Sequence, residues 1–247
     1  YIVANATKGT LTNLVKEHCT DERWREVFLL TTSLLPDANQ FMKTLRRGID
    51  DILKSDKKLK ALLTWADRKS TSIRLDSALG RRSYLSIEVY PLRQDGSNEY
   101  AYAYAYAKGY ADGGNSTGGD AFTLDAYLLD TLLGLRSIAR AISVAHNLGL
   151  NEFAKELDFL SISTDKVADT ERQELADKLR ALMIKHRDIG HEWKLTKTQQ
   201  TQLAGYFKAT YLLQDCLELA FMLPDEKRAM LNSLYLPPAQ VDDEQNV

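Results

Sequence analysis

The hydrophobic positions of the first 70 residues recur at helical spacing. Residues that repeat every three or four positions share one face of a helix. Breaks at Pro36-Asp37 and Ser55-Asp56 separate three such stripes, and short connections favour antiparallel packing of consecutive helices. The stripes are Trp24, Val27, Phe28, Thr31, Leu34 and Leu35; then Phe41, Leu45, Ile49, Ile52 and Leu53; then Leu59, Leu62, Leu63 and Ala66, with Trp65 beside them.

The second half of the chain shows the same helical period. It predicts a long amphipathic segment over 124–145, a shorter helix over 150–160, and further helices after two capping boxes. The boxes are Thr170 with Gln173 and Thr196 with Gln199, and Pro224 fits the first turn of a last short helix. The predicted fold class is mainly α, an antiparallel multi-helix bundle.

Between the two halves the period changes to two. Leu85, Ile87 and Val89 alternate with polar residues, and the 100–107 tract repeats Tyr-Ala. Two alternatives stay open: a β-hairpin of 83–90 with 99–107, or a low-complexity insertion. On a strand the tyrosines would share one face, which makes them the candidate interaction surface. They are Tyr100, Tyr102, Tyr104 and Tyr106, and the Gly113–Gly119 stretch after them is predicted to be a flexible loop.

These elements predict four segments in chain order. They are an N-terminal helical part (1–75), a variable insertion with its loop (76–120), a C-terminal helical part (121–236) and a disordered tail (237–247). Because the chain starts at Tyr1 and its first residues read like the middle of an element, we expect it to be a piece of a longer protein.

Composition narrows the function classes. The 247 residues are 44% hydrophobic and carry a formal charge of -2, so no global basic excess indicates nucleic-acid binding. Two distant cysteines suggest no disulfide framework, and no run of about 18 apolar residues predicts a membrane span. We therefore expect a cytoplasmic protein with a real hydrophobic core.

The residues predict neither a nucleotide site nor a metal site. The 113–119 glycines lack the Gly-Lys-Ser/Thr ending of a P-loop, so no nucleotide cofactor is expected in this chain. His186 and His191 are five residues apart and do not share a helix face, so no metal site is expected.

The densest polar cluster is 185–193, Lys-His-Arg-Asp-Ile-Gly-His-Glu-Trp. One interpretation is a helix end, with cations in the last turn, a terminating Gly190 and Trp193 anchoring the loop. The alternative is that Arg187, Asp188 and His191 resemble the motif of HEPN ribonucleases. That resemblance implies an Arg187 that stabilises phosphate charge and a His191 that moves protons without a metal. HEPN motifs usually carry more residues between Arg and His than the three found here.

Several segments together resemble the region that follows the ATPase in cyanobacterial-type NLR-like NACHT NTPases of the STAND class. Residues 11–30, with Trp-Arg-Glu-Val-Phe-Leu-Leu at 24–30, and the 49–70 helix with its Thr-Trp ending look like that family. So do 186–193, the 211–217 helix and Leu-Tyr-Leu-Pro at 234–237, whereas 75–120 corresponds to a variable region.

The resemblance implies a non-catalytic sensor or regulatory module in bacterial anti-phage defence. ATP and Mg would bind the NACHT domain, which lies outside this chain. The implied partners are that NACHT domain and a phage-derived or host protein trigger. This inference about function rests on analogy with the family and not on individual residues of the chain.

Overall fold

The computed structural model describes residues 8–71, 77–89, 120–132, 138–161 and 169–238. Within these ranges it contains eleven α-helices, one short 3-10 turn at Glu22–Trp24 and no strand, which confirms the predicted mainly α, multi-helix fold class. The α-helices are α1 Lys8–His18, α2 Arg25–Leu34, α3 Asn39–Leu53, α4 Lys57–Ser70, α5 Ser77–Val89, α6 Asp120–Leu132, α7 Ala139–Asn147, α8 Asn151–Ser161, α9 Asp169–Arg187, α10 Lys197–Leu219 and α11 Pro224–Asn232.

The chain divides into two compact units. The first joins Tyr1–Asp67 to Leu195–Val247, and the second is Arg68–Lys194. Each unit has its own buried apolar side chains, as expected of a compact folding unit.

In the first unit the long α10 packs against α2 and α3, and α1 packs against α3. Phe28, Phe41, Tyr206 and Tyr235 are almost completely buried there. The predicted stripe of α4 is confirmed, since Leu59, Leu62, Leu63 and Ala66 have no exposed surface. Leu34 is a departure from the predicted stripe of α2, because it is 64% exposed.

Helix ends follow the predicted chemistry at two of three places. The Thr196 hydroxyl accepts from the Gln199 backbone N–H while the Gln199 side chain accepts from the Thr196 N–H, so that capping box is confirmed. Pro224 begins α11, also as predicted. The predicted N-cap at Thr170 is wrong, because α9 starts at Asp169 and already includes Thr170.

In the second unit α6 packs against α7 and α9, and α8 packs against α7 and α9. The segment predicted as one long amphipathic stretch over 124–145 therefore forms two helices, α6 and α7, which pack against each other. Phe122, Leu128, Phe153 and Met183 are buried between these helices.

The strand predicted at 83–90 is wrong, because residues 77–89 form α5. The alternation of polar and apolar residues has another cause here: Ser86 and Glu88 are buried as fully as Leu85 and Val89. Ser86 donates to the carbonyl of Arg82 four residues earlier, and Glu88 binds a loop from another part of the chain. Because polar residues can be buried when they have hydrogen-bond partners, a buried helix can show the alternation of polar and apolar residues that is typical of a half-buried strand.

The second predicted strand, 99–107, lies outside the described residues. So do the tyrosine surface of Tyr100, Tyr102, Tyr104 and Tyr106, the Gly113–Gly119 loop and most of the predicted tail.

Candidate functional site

The residue cluster singled out in the sequence begins where α9 ends. Arg187 is the last residue of α9, and the following 188–194 loop contains three residues in the left-handed region. Gly190 has φ 80°, and a Cβ at this position would lie 3.1 Å from the Cε of Met183. The backbone at Asp188 and Lys194 has φ of 51° and 44°. Residues other than glycine rarely adopt such angles unless neighbouring contacts constrain the backbone. The contacts described next supply that constraint.

Arg187 forms a bidentate ion pair with the buried carboxylate of Asp125 on α6. Its Nε lies 2.6 Å from Oδ1 and its Nη2 lies 3.1 Å from Oδ2. Paired N–H donors of this kind match the planar geometry of a carboxylate. Nη2 also donates to the carbonyl of Ala121, at 3.3 Å. The last turn of α9 is thereby joined to α6.

Two further side chains approach the same carboxylate. The hydroxyl of Tyr84 donates to Asp125 at 3.0 Å, and the Nζ of Lys69 lies 3.3 Å from it. Lys69 also donates to the main-chain carbonyl of Arg187 at 2.5 Å and lies 5.1 Å from the centre of the Tyr84 ring. We refer to Asp125, Arg187, Lys69 and Tyr84 as the Asp125 cluster.

The Asp125 cluster places two cations around one anion in the interior. Burial lowers the pKa of Lys69, helped by the charge of Arg187, although Asp125 acts in the opposite direction. Burial also acts to lower the pKa of Arg187, but the charge and hydrogen bonds of Asp125 outweigh it and raise that pKa. Buried charges of this kind are tolerated only while they are paired. Asp125 is the group that both cations require.

Glu88, at the end of α5, holds the 188–194 loop. Its Oε2 accepts from the backbone N–H of Gly190 at 3.0 Å, and its Oε1 accepts from the N–H of His191 at 2.6 Å and from the indole of Trp193 at 3.3 Å. Burial is the largest influence on this carboxyl and raises its pKa, although these hydrogen bonds oppose the change. A buried acid therefore orders the loop by accepting hydrogen bonds from its main-chain N–H groups and from its indole.

The outer side of the loop carries a more exposed network. His191 Nε2 lies 2.9 Å from Asp188 Oδ1, and Arg68 donates to Asp188 Oδ2 at 2.6 Å. Burial alone would raise the pKa of Asp188, but its hydrogen bonds with Arg68 and His191 lower it. Because Arg68 is largely exposed and Asp188 is partly exposed, we expect this pair to contribute little stability.

Among the described residues, Arg187 does not line the cavity that His191 contacts. A cavity of about 250 Å³ is lined by His191, Glu88, Arg180 and Leu129 among others, but not by Arg187. The Arg187 side chain is 15% exposed and points to Asp125 instead. The helix-end interpretation agrees with this geometry, since Gly190 follows α9 and Trp193 bonds to Glu88.

Sequence reasoning missed the groups that complete the site, namely Asp125, Glu88, Lys69 and Tyr84. A usable signal was present: Asp125 interrupts the apolar run Leu124 to Leu129, and Glu88 lies in the apolar stretch Leu85 to Val89. An acid within an otherwise buried helix face indicates a paired interior charge. What the signal does not identify is the partner.

Comparison with known proteins places part of the chain in a family. Residues 150–237 match the family model of NACHT C-terminal Helical domain 2. This stretch is a NACHT-associated C-terminal helical domain. The match confirms the resemblance as far as a NACHT-associated C-terminal helical domain. No curated protein and no solved structure matches the chain.

The NACHT-associated domain covers α8 to α11 and the 188–194 loop. Its Arg187 and Gly190 are bound by Asp125 and Glu88, which lie upstream of the matched stretch. Among the described residues no helix has the length and apolar character needed to cross a membrane. In the same ranges no three His, Cys, Asp or Glu side chains are grouped as a metal would require.

Replacing Asp125 by Asn should destabilise the second unit. The change keeps the shape but removes the anion that Arg187 and Lys69 both approach, and breaking a buried ion pair by removing one partner costs about 3–5 kcal/mol. Urea unfolding followed by circular dichroism, with hydrogen exchange of the α6 and α9 amides, measures the loss. Asp158→Asn on the exposed face of α8 is the matched control and should change stability by less than about 0.5 kcal/mol. Equal effects of the two substitutions would contradict the role given to Asp125.

Replacing Glu88 by Gln should change how stability depends on pH. A carboxyl whose folded pKa is raised stabilises the fold most at low pH, and the stability is lost as pH rises through that pKa. The free energy of unfolding of the native chain, minus that of Glu88→Gln, should therefore fall as pH rises above 4.5, the ordinary pKa of a glutamate. Urea titrations across this range measure the difference. The exposed Glu152→Gln control should give a flat difference, and a Glu88 difference that rises with pH would show that its pKa is lowered.

Proposed function

We propose that this chain is a sensor or regulatory interaction module of a bacterial STAND-type NACHT NTPase that acts in anti-phage defence in the cytoplasm. The match of residues 150–237 to NACHT C-terminal Helical domain 2 is the observation that carries this proposal. The described residues form helices packed through their apolar faces, an architecture suited to docking. ATP and Mg bind the NACHT domain in this proposal, and the chain itself takes no cofactor.

Such a module acts through differential contacts. It must bind the resting state of the NACHT domain more strongly than the active one, or bind a trigger more strongly in the active state. The proposed partners are the protein's own NACHT domain and a phage-derived or host protein trigger. The Asp125 cluster and Glu88 suit this role, because they hold the 188–194 loop in one conformation and give the second unit a defined surface.

The experiment compares full-length proteins with and without the module. We expect removal of the module to raise ATP turnover in the absence of infection, because the resting state loses a stabilising contact. Protection against phage should become independent of the trigger or be lost. ATP hydrolysis by the purified protein and plaque counts on expressing cells are the two measurements. Unchanged turnover together with unchanged protection would refute a regulatory role.

Asp125→Asn in the full-length protein is the finer variant, and Asp158→Asn its control. If the second unit must be rigid to hold the resting state, Asp125→Asn should raise turnover in the same direction as removal of the module, while Asp158→Asn should not.

We propose that the module is non-catalytic. The ribonuclease alternative instead predicts that the chain cleaves RNA. Catalysis would need the guanidinium of Arg187 at the substrate, but that group is bonded to Asp125, and His191 is paired with Asp188. We expect no cleavage when the chain is incubated with single-stranded RNA and the products are separated on a gel. Cleavage that is lost in both Arg187→Ala and His191→Ala, with folding retained by circular dichroism, would establish the alternative instead.

A further inference from the structure

A groove of about 810 Å³ lies in the first unit, where α3 packs against both α1 and α10. Its lining comes from the second half of α1 and the two residues after it, from the second half of α3, and from the first half of α10. Small-molecule sites have volumes of roughly 300–1,000 Å³. The groove therefore has room for a ligand much larger than a single ion.

Two glycines bring the three segments of the lining close together. A Cβ at Gly48 on α3 would overlap the Cγ1 of Val15, so the glycine lets α1 pack directly against α3. A Cβ at Gly205 on α10 would lie 3.4 Å from the Cγ2 of Thr20, so α10 also approaches the end of α1 closely. The lining is thus one continuous surface built from three helices, and not a set of residues that are near only in sequence.

The charges that line the groove are mostly positive. Lys16 from α1, Arg47 from α3 and Lys208 from α10 are the cations, and Asp51 is the acid. Asp51 itself has the Nζ of Lys54 at 3.9 Å. Because the whole chain has a formal charge of -2, this groove differs in sign from the molecule that carries it. We call it the cationic groove.

Two of these cations have no acidic partner within the protein. Among the described residues, neither Lys16 nor Arg47 forms an ion pair. The acid next to Lys16 in the chain, Glu17, lies 3.7 Å from His18 instead. The buried cations of the Asp125 cluster are paired, whereas Lys16 and Arg47 can interact with an anion that comes from solution.

Uncharged residues complete the lining. The hydroxyl of Thr20 and the amide of Gln202 can donate hydrogen bonds to an anion. Ile52 and Ala204 supply apolar surface, and so does Cys19, because burial raises the pKa of its thiol to about 11 and keeps it protonated at neutral pH. The groove therefore offers positive charge, hydrogen-bond donors and apolar contacts to one occupant.

We propose that the cationic groove binds a small organic molecule that carries phosphate groups. Phosphate oxygens match the ammonium and guanidinium donors of Lys16, Arg47 and Lys208, and the apolar lining covers the organic part. An inorganic anion would leave that lining unused, and a neutral molecule would leave the cations unused. The site needs no phosphate-binding loop, because side chains from three helices supply the donors. This inference rests on the first unit alone and is independent of the proposed regulatory role.

The test measures binding to the 247-residue chain by isothermal titration calorimetry, with EDTA present so that no metal ion neutralises the phosphates. The probes are two phosphate esters, ATP and fructose 1,6-bisphosphate, together with adenosine and inorganic tripolyphosphate. We expect at least one ester to bind more tightly than adenosine and tripolyphosphate, by roughly tenfold or more, with an affinity that falls at high salt. Which ester binds more tightly distinguishes a nucleotide ligand from a sugar phosphate.

Substitutions then place the binding in the groove. Lys16→Gln and Arg47→Gln should each weaken the tighter ester by roughly tenfold, because each removes one charge from the lining. Ala204→Phe should weaken it as well, since the larger side chain fills the groove without changing its charge. Lys57→Gln is the matched control: Lys57 is exposed on α4 in the same unit and does not line the groove.

Four outcomes would overturn the proposal. The first is no binding of either ester. The second is tripolyphosphate that binds as tightly as the better ester, which would indicate an adventitious anion only. The third is binding that Lys16→Gln and Arg47→Gln leave unchanged although circular dichroism shows an intact fold. The fourth is a Lys57→Gln variant that weakens binding as much as they do, which would indicate attraction to the surface charge in general.

Discussion

The buried carboxylate of Asp125 is the interaction on which the second unit depends. It lies on α6 and receives Arg187 from the last turn of α9, Lys69 from the end of α4 and Tyr84 from α5. Four chain segments thus meet at one anion. Such a cluster is less forgiving than apolar packing, since each member is costly to bury without the others. The arrangement specifies which helix ends lie together, and leucine stripes alone do not supply that information.

Glu88 extends this order to the loop that follows α9. Backbone N–H groups of a surface loop normally form hydrogen bonds with water. Here those of Gly190 and His191 donate to the buried carboxylate of Glu88. The left-handed conformations of Asp188 and Lys194 can persist because the loop is held at both Arg187 and Trp193. The first unit is organised differently, around α10 and buried side chains such as Phe28 and Tyr206.

Part of the candidate site was predictable from local chemistry. The 185–193 cluster was recognisable as a helix end, because Gly190 and the preceding cations are the signals that end helices. The partners of the cluster were not, because Asp125 lies 62 residues from Arg187 and Glu88 lies 102 residues from Gly190. The spacing of apolar residues identifies which helix face is buried. It does not indicate which distant acidic residue contacts that face. For the same reason the strand at 83–90 was predicted wrongly: buried Ser86 and Glu88 resembled solvent-facing positions.

The sequence by itself determined the helical class, the stripes of α3 and α4, the capping box at Thr196 and the NACHT-associated resemblance, since each of these rests on residues close together in the chain. Tertiary structure alone decided that residues up to Asp67 share a unit with those from Leu195 onward. It also decided that Arg187 is committed to Asp125 and that cations from three separate helices line one groove. Those outcomes depend on which surfaces meet across long stretches of chain, and local periodicity does not encode them.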